Sequence, residues 1–212
     1  PLPNPHLRAS PPSSSAFHPP AILPAMTREE LAAKVAEAAL LRGEFTLRSG
    51  RTSSYYLDKY LFTTKPDLLS ALANEFAERV RDIDAAQQRG TGGDEGVNRL
   101  AGAELGGIPI VTATGMATGL PFVFVRNQKK DYGTAKQLEG ELRAGDRVIL
   151  VEDVATTGGQ AVEAINTLRH EGALVLAVIA AIDRQEGARE NVERAGCRFE
   201  AVFTKQDLGV DE

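Results

Sequence analysis

Glu152 and Asp153 stand side by side at the end of an apolar run, in the stretch VILVEDVATTGG (148–159). Thr156, Thr157, Gly158 and Gly159 follow at once. The apolar residues read as a buried strand, and the chain from Gln160 reads as a helix. Main-chain N–H groups at a helix start, joined by two hydroxyls, suit a terminal phosphate. The glycines let the backbone approach without a Cβ in the way. Two carboxylates would repel that phosphate, so they must face something else, either vicinal ribose hydroxyls or Mg²⁺. A sugar phosphate held in the loop by its phosphate end satisfies both demands. The plainer alternative, helix-capping acids before an ordinary turn, does not account for the strand before and the helix after. There is no G-K-[ST] phosphate loop in the chain, and Gly90, Gly92 and Gly96 miss dinucleotide-binding spacing and follow a helix.

These residues need a frame. TREELAAKVAEAALLRG opens on a Thr27/Glu30 capping box and is expected to be helical up to Gly43. EFTLRSGRTSSYYLDKYLF alternates around a Ser-Gly-Arg-Thr turn and predicts a hairpin. KPDLLSALANEFAERVRD predicts a second helix, and 85–96 a loop. From residue 97 onward, apolar strands (VNRLAG, PFVFV, RVILVED, ALVLAVIAAI, RFEAVFT) alternate with helices, and a polar loop is expected over 126–146. Near-continuous apolar strands separated by helices imply a mainly parallel sheet covered on both faces. The expected fold is α/β and doubly wound, with an N-terminal helix–hairpin cap over 26–64 and a core over 65–212. Open sheets of this kind bind ligands at the carboxyl ends of their strands, where Glu152 and Asp153 fall.

The net charge of −5 argues against bulk attraction to nucleic acid or an anionic membrane, so any anion site must be local. No apolar run approaches the ~18 residues of a membrane helix. The single cysteine, Cys197, fits a reducing cytoplasm and reads as a packed residue. Residues 1–25 hold eight of the eleven prolines and no acidic residue. They read as a disordered or artefactual extension before a domain beginning at Met26.

VILVEDVATTGG resembles the phosphoribosyl-pyrophosphate (PRPP) signature of type I phosphoribosyltransferases. FTLRSGRTSSYYLD (45–58), AGAELGGIP (101–109), VRNQKKDYGT (125–134) and IDRQEG (182–187) resemble the orotate phosphoribosyltransferase family within that group. The resemblance runs from Met26 to Val210. It implies Mg²⁺-dependent transfer of ribose 5-phosphate from PRPP to orotate, giving orotidine 5′-monophosphate and pyrophosphate, in a cytoplasmic homodimer. Magnesium is then held mainly by PRPP, near Asp153.

The resemblance also implies residue roles. Glu152 and Asp153 take the ribose hydroxyls. Ala155, Thr156, Thr157, Gly158, Gly159 and Gln160 cradle the 5′-phosphate, with Thr156 also near orotate, and Val154 joins the PRPP-binding set. Arg126, Lys130 and Tyr132 belong to a catalytic loop that closes over the partner subunit's site and meets PRPP. Lys130, Asp153 and Arg126 are the expected catalytic residues. Arg184 can clamp a carboxylate or a pyrimidine carbonyl; its plainer role is to pair with Glu186 or Glu190. Arg48, Tyr56 and Leu57 complete the expected orotate side, while Asp58 and Lys59 lie near it without a role. The family often has lysine where this chain has Arg48, Asn127 and Gly106, and histidine where it has Tyr132, which changes the charge offered to pyrophosphate. None of His6, His18 and His170 falls in a candidate site. Two rival readings are transfer to another base, such as a purine, and a non-catalytic PRPP-sensing regulator. The arginine at 184 favours orotate over the first. The absence of a recognisable nucleic-acid-binding element in 1–25 disfavours the second.

Overall fold

The computed structural model describes residues 26–46, 50, 52–92, 95–127 and 137–210. The first helix, α1 (Arg28–Ala39), begins at the expected capping box: Glu30 N donates to Thr27 Oγ1 (3.2 Å) and Thr27 N to Glu30 Oε2 (2.9 Å). It buries Leu31, Ala32, Val35 and Ala39 and stops before the expected end at Gly43. Leu40 turns extended because it pairs with Leu57, opening the antiparallel hairpin of β1 (Leu40–Thr46) and β2 (Thr52–Leu57). Cross-strand pairing outweighs the helical spacing of Leu40 and Leu41.

The chain then departs from the alternating reading. Asp58 accepts a hydrogen bond from Tyr60 N (3.1 Å) and caps a short helix, α2 (Lys59–Thr63). The next helix, α3 (Pro66–Thr91), carries Pro66 in its first turn, where the missing N–H costs nothing. It runs through 85–91, which the glycines had marked as loop. Ile83 is buried, and the helix ends only where Gly92 adopts a left-handed φ of 83°. Asp84 on α3 accepts from Val97 N (2.6 Å), fixing the return of the chain toward the sheet.

The rest alternates: β3 (Arg99–Ala103), α4 (Gly107–Thr118), β4 (Phe122–Val125), β5 (Leu138–Glu139), β6 (Arg147–Ala155), α5 (Gly159–His170), β7 (Leu174–Asp183), α6 (Ala188–Arg194), β8 (Arg198–Thr204) and a 3₁₀ turn at Gln206–Leu208. The sheet order is β5-β4-β3-β6-β7-β8, parallel throughout except for β5. The expected doubly wound, mainly parallel sheet is therefore present. The two-residue β5 lies inside the segment read as loop; it forms because Leu138 buries against the sheet while pairing with Val125.

Strand β6 shows why the apolar runs are continuous. Ile149 and Val151 enter the core shared with α1, α3 and α4, while Val148 and Leu150 enter the one under α5 and α6. Each such fully buried aliphatic side chain contributes roughly 1.5–3 kcal/mol relative to exposure. A buried pair, Arg99 Nε to Asp146 Oδ2 at 2.6 Å, ties the start of β3 to the turn before β6. Among the described residues no helix is long and apolar enough to cross a membrane.

Candidate active site

From β3 the chain passes through α4 to β4 on one side, and from β6 through α5 to β7 on the other. The carboxyl ends of β3 and β6 thus flank the switch point of the sheet, the place where such folds leave a crevice. Two loops open there, 104–106 after β3 and 156–158 after β6. The hairpin and α2 overhang them.

Val154 to Ala161 and Glu152 line one concave pocket. Gly158 is the N-cap of α5 and offers no side chain, so no cap hydrogen bond engages the first-turn N–H groups. These face the crevice with the Thr156 and Thr157 loop, a cradle for a dianion. Gly158 has φ 75°, and a Cβ there would meet Ala188 Cα and O at 3.1 Å, so both conformation and space demand glycine. Asn191 on α6 donates to Thr157 O (2.7 Å), and Arg184 N donates to Ala155 O (2.9 Å), holding the loop from its far side.

The acid pair is more buried than strand ends usually are: Glu152 is 7% and Asp153 3% exposed. Burial, and then the neighbouring Asp153, push the Glu152 carboxyl up to about 8, opposed by Lys59. Near neutral pH Glu152 is therefore mainly protonated, and the two carboxyls do not act as two full negative charges. Asp153 forms an ion pair with Lys59, Nζ to Oδ2 at 2.8 Å. Burial lowers the Lys59 ammonium, but Asp153, Tyr60 and Glu152 outweigh it and hold the group above its usual range. Glu152 Oε1 is buried with no hydrogen-bond partner among the described residues. An orphaned acid oxygen beside a carboxylate suits the donors of a ribose diol.

Gly106 sits against this pair. Its φ of −75° is ordinary, but a Cβ there would lie 2.5 Å from Asp153 Cγ and nearer still to Oδ2. Glycine here leaves room for the carboxylate, a stronger statement than the loss of a positive charge. Gly106→Ala is accordingly expected to turn Asp153 away from Lys59 and to lower turnover about tenfold, with a folded far-ultraviolet dichroism spectrum. Full activity in this variant would show that the carboxylate is not fixed where we place it.

Arg184 follows β7. Its guanidinium contacts Tyr55 twice, through Nη2 to the phenol oxygen (3.1 Å) and across the ring (5.2 Å), and it pairs with Glu186 at 2.9 Å. The plainer partner expected from sequence is thus present, yet the group is not used up. Its Nε is buried without a hydrogen-bond partner among the described residues. Tyr55, not singled out from the sequence, is the hairpin tyrosine at this arginine. Strand pleating puts Tyr55 and Leu57 on the buried face and leaves Tyr56 45% exposed on the other, tilted against Phe45.

Arg126 closes β4, where its N–H donates to Gln137 O (2.8 Å) and its guanidinium lies 3.6 Å from Glu139. Asn127 N donates to Glu104 Oε1 (2.6 Å), and Asn127 Nδ2 to Glu104 O (3.3 Å), so the loop after β3 and the start of the next loop are tied together. Arg48, Lys130 and Tyr132 lie outside the described residues. The structure thus brings together Glu152, Asp153 and the phosphate loop, sets Arg184 beside Tyr55, and adds Lys59.

Residues 68–202 match the family model described as the phosphoribosyl transferase domain. The chain is 43% identical over 187 residues to an orotate phosphoribosyltransferase from Natronomonas pharaonis, covering 88% of this chain and 99% of that one. It is 37% identical to the one from Pyrococcus abyssi, covering 85% and 94%. Among solved structures, the orotate phosphoribosyltransferase of Aeropyrum pernix superposes with a TM-score of 0.70 at 32% identity, over 84% of this chain and 95% of that one. The Mycobacterium tuberculosis enzyme in complex with PRPP gives 0.66 at 31%, over 86% and 99%. The acid pair before an uncapped helix start, at the switch point of a parallel sheet, and these likenesses agree: the chain belongs to the orotate phosphoribosyltransferase family of type I phosphoribosyltransferases.

Proposed function

We propose that the chain transfers ribose 5-phosphate from PRPP to orotate, releasing pyrophosphate and forming orotidine 5′-monophosphate for UMP synthesis. The observation that carries this reading is the crevice itself: an uncapped phosphate loop and an acid pair on one wall, and a tyrosine-backed arginine after the adjacent strand. The first-turn N–H groups of α5 and the Thr156 and Thr157 hydroxyls take the 5′-phosphate. Glu152 and Asp153 take the ribose hydroxyls and fix the sugar in line. Arg184 orients the planar, anionic acceptor.

The N1–C1′ bond forms as the C1′–O bond to pyrophosphate breaks; pyrophosphate leaves with the electron pair, and the proton of orotate N1 passes to pyrophosphate or to water. Positive charge gathers on the ribose, where the negative charge on Asp153 stabilises it better than it stabilises the neutral sugar. Orotate brings a nitrogen that needs no strong base, which agrees with the exposed position of His170 at the far end of α5.

Magnesium would be held mainly by PRPP, near Asp153. The donor set fits, because Mg²⁺ is commonly held by one or two carboxylates plus substrate phosphates. Among the described residues no cluster of three metal-ligating side chains exists, so those residues alone do not build a cage. The ion, when bound, neutralises the departing pyrophosphate. We read the enzyme as a cytoplasmic homodimer whose 126–133 segment, with Arg126 and Lys130, serves the partner's site and its pyrophosphate.

Purified protein given Mg²⁺ and PRPP should consume orotate, seen as loss of its near-ultraviolet absorbance, and should stop when Mg²⁺ is chelated. Turnover of adenine, guanine or xanthine without turnover of orotate would overturn the assignment of the acceptor.

A further inference from the structure

Lys59 has no part in the roles assigned above, yet its ammonium is 2.8 Å from the carboxylate on which the ribose must settle. Its place is built by the chain. Asp58 caps α2 through Tyr60 N, so Lys59 is the first residue of that helix, and its ammonium lies 5.6 Å from the centroid of the Tyr60 ring. The side chain is 32% exposed while Asp153 is 4% exposed, so the ammonium bridges a buried acid and the open crevice. Gly106, the N-cap of α4, contributes no side chain, and the Asp153 carboxylate fills the volume a Cβ would take. Neither Arg126, 3.6 Å from Glu139, nor Arg184, held by Tyr55 and Glu186, is paired with Asp153.

PRPP carries several negative charges and has to approach Asp153. Without a cation at that spot, sugar binding would place a polyanion against a desolvated carboxylate. We propose that Lys59 is a PRPP-positioning residue: it balances Asp153 in the empty site and turns its ammonium to an oxygen of the bound donor when the ribose hydroxyls replace it on the carboxylate. This rests on the PRPP reading of the site. It assigns to the hairpin–α2 cap a direct hand on the donor, in addition to the acceptor side where Tyr55 meets Arg184.

The test is equilibrium binding of PRPP with Mg²⁺ by calorimetry, without orotate, followed by steady-state kinetics. Lys59→Met should weaken PRPP binding about tenfold to a hundredfold, the range of one charge-assisted hydrogen bond. It should raise the KM for PRPP in parallel and leave the KM for orotate within about threefold. Lys59→Arg should restore PRPP binding to within about threefold of wild type, because the charge is kept. Melting curves accompany each variant, and Lys59→Gln replaces Lys59→Met if the latter does not fold. PRPP affinity that is unchanged or tighter in the neutral variant overturns the proposal. So does an equal loss for orotate, or an arginine variant as weak as the neutral one. Wild-type protein that binds PRPP but turns over no orotate would refute the acceptor assignment and leave Lys59 to be judged by the binding data.

Discussion

Glu152→Gln should melt at a higher temperature than wild type at pH 8 and yet lose at least a hundredfold in turnover. Burial, reinforced by Asp153, raises the Glu152 carboxyl from 4.5 to about 8. The sign follows from proton binding. Between those two values the folded protein holds a proton on Glu152 that the unfolded chain has released, so stability falls as pH rises through this window. It is greatest below about 4.5 and fully reduced above about 8. Glutamine has no charge to desolvate and escapes this loss. Since about 1 kcal/mol shifts a domain of this size by about 2–4 °C, the gain at pH 8 should be on the order of 5 °C or more. At pH 5 the advantage should shrink or reverse, because the glutamine amide then adds buried donors that need partners.

The measurement is a pair of melting curves across pH 5 to 8.5. A constant gap between variant and wild type would show that Glu152 is not held protonated by the fold. The activity loss has a separate cause. In the proposed reading the ribose hydroxyls lose one carboxyl acceptor, and the transition state loses the negative charge that Glu152 would supply. Added stability at the cost of activity is the pattern expected where function requires two acids to be buried together.

How much of this was legible in the sequence depends on how local each feature is. The phosphate loop is contiguous, running from β6 directly into α5, and its residue types carry the chemistry, so VILVEDVATTGG could be read as a sugar-phosphate site. The parallel sheet was legible because β6 and β7 are apolar on both faces. Lys59 was not, since its meaning is a contact with Asp153 on another element, set by a cap at Asp58 that shows only as one acid before a short helix. Tyr55 and Tyr56 differ only in pleat phase, which the register Leu40↔Leu57 decides. The extension of α3 was hidden by Gly90 and Gly92: the first lies within the helix, and the second is its left-handed cap. Gly106 read as a lost charge because a sequence shows what a residue lacks, whereas the space beside it is a property of Asp153.

Arg184→Ala should raise the KM for orotate about a hundredfold to a thousandfold while the KM for PRPP stays within about threefold. The side chain is 13% exposed, and its guanidinium lies over the Tyr55 ring, donates to the Tyr55 phenol oxygen and is paired with Glu186. Those contacts hold the planar group rigid while Nε still lacks a partner among the described residues. Nε together with Nη2, once Nη2 exchanges Glu186 for the ligand, forms a donor edge that can take two oxygens of a carboxylate at once. Two charge-assisted hydrogen bonds at about 1.5–3 kcal/mol each account for the expected loss. Arg184→Lys keeps the charge but not the fork and should recover only part of it. Uracil separates the possible contacts, because it has the pyrimidine carbonyls of orotate without the carboxylate. If Arg184 reads the carboxylate, the preference for orotate over uracil should collapse in Arg184→Ala, with uracil turnover nearly unchanged. Equal losses for both bases would assign the arginine to a ring carbonyl. An unchanged orotate KM in a folded variant would remove Arg184 from the acceptor site and leave it as the partner of Tyr55 and Glu186.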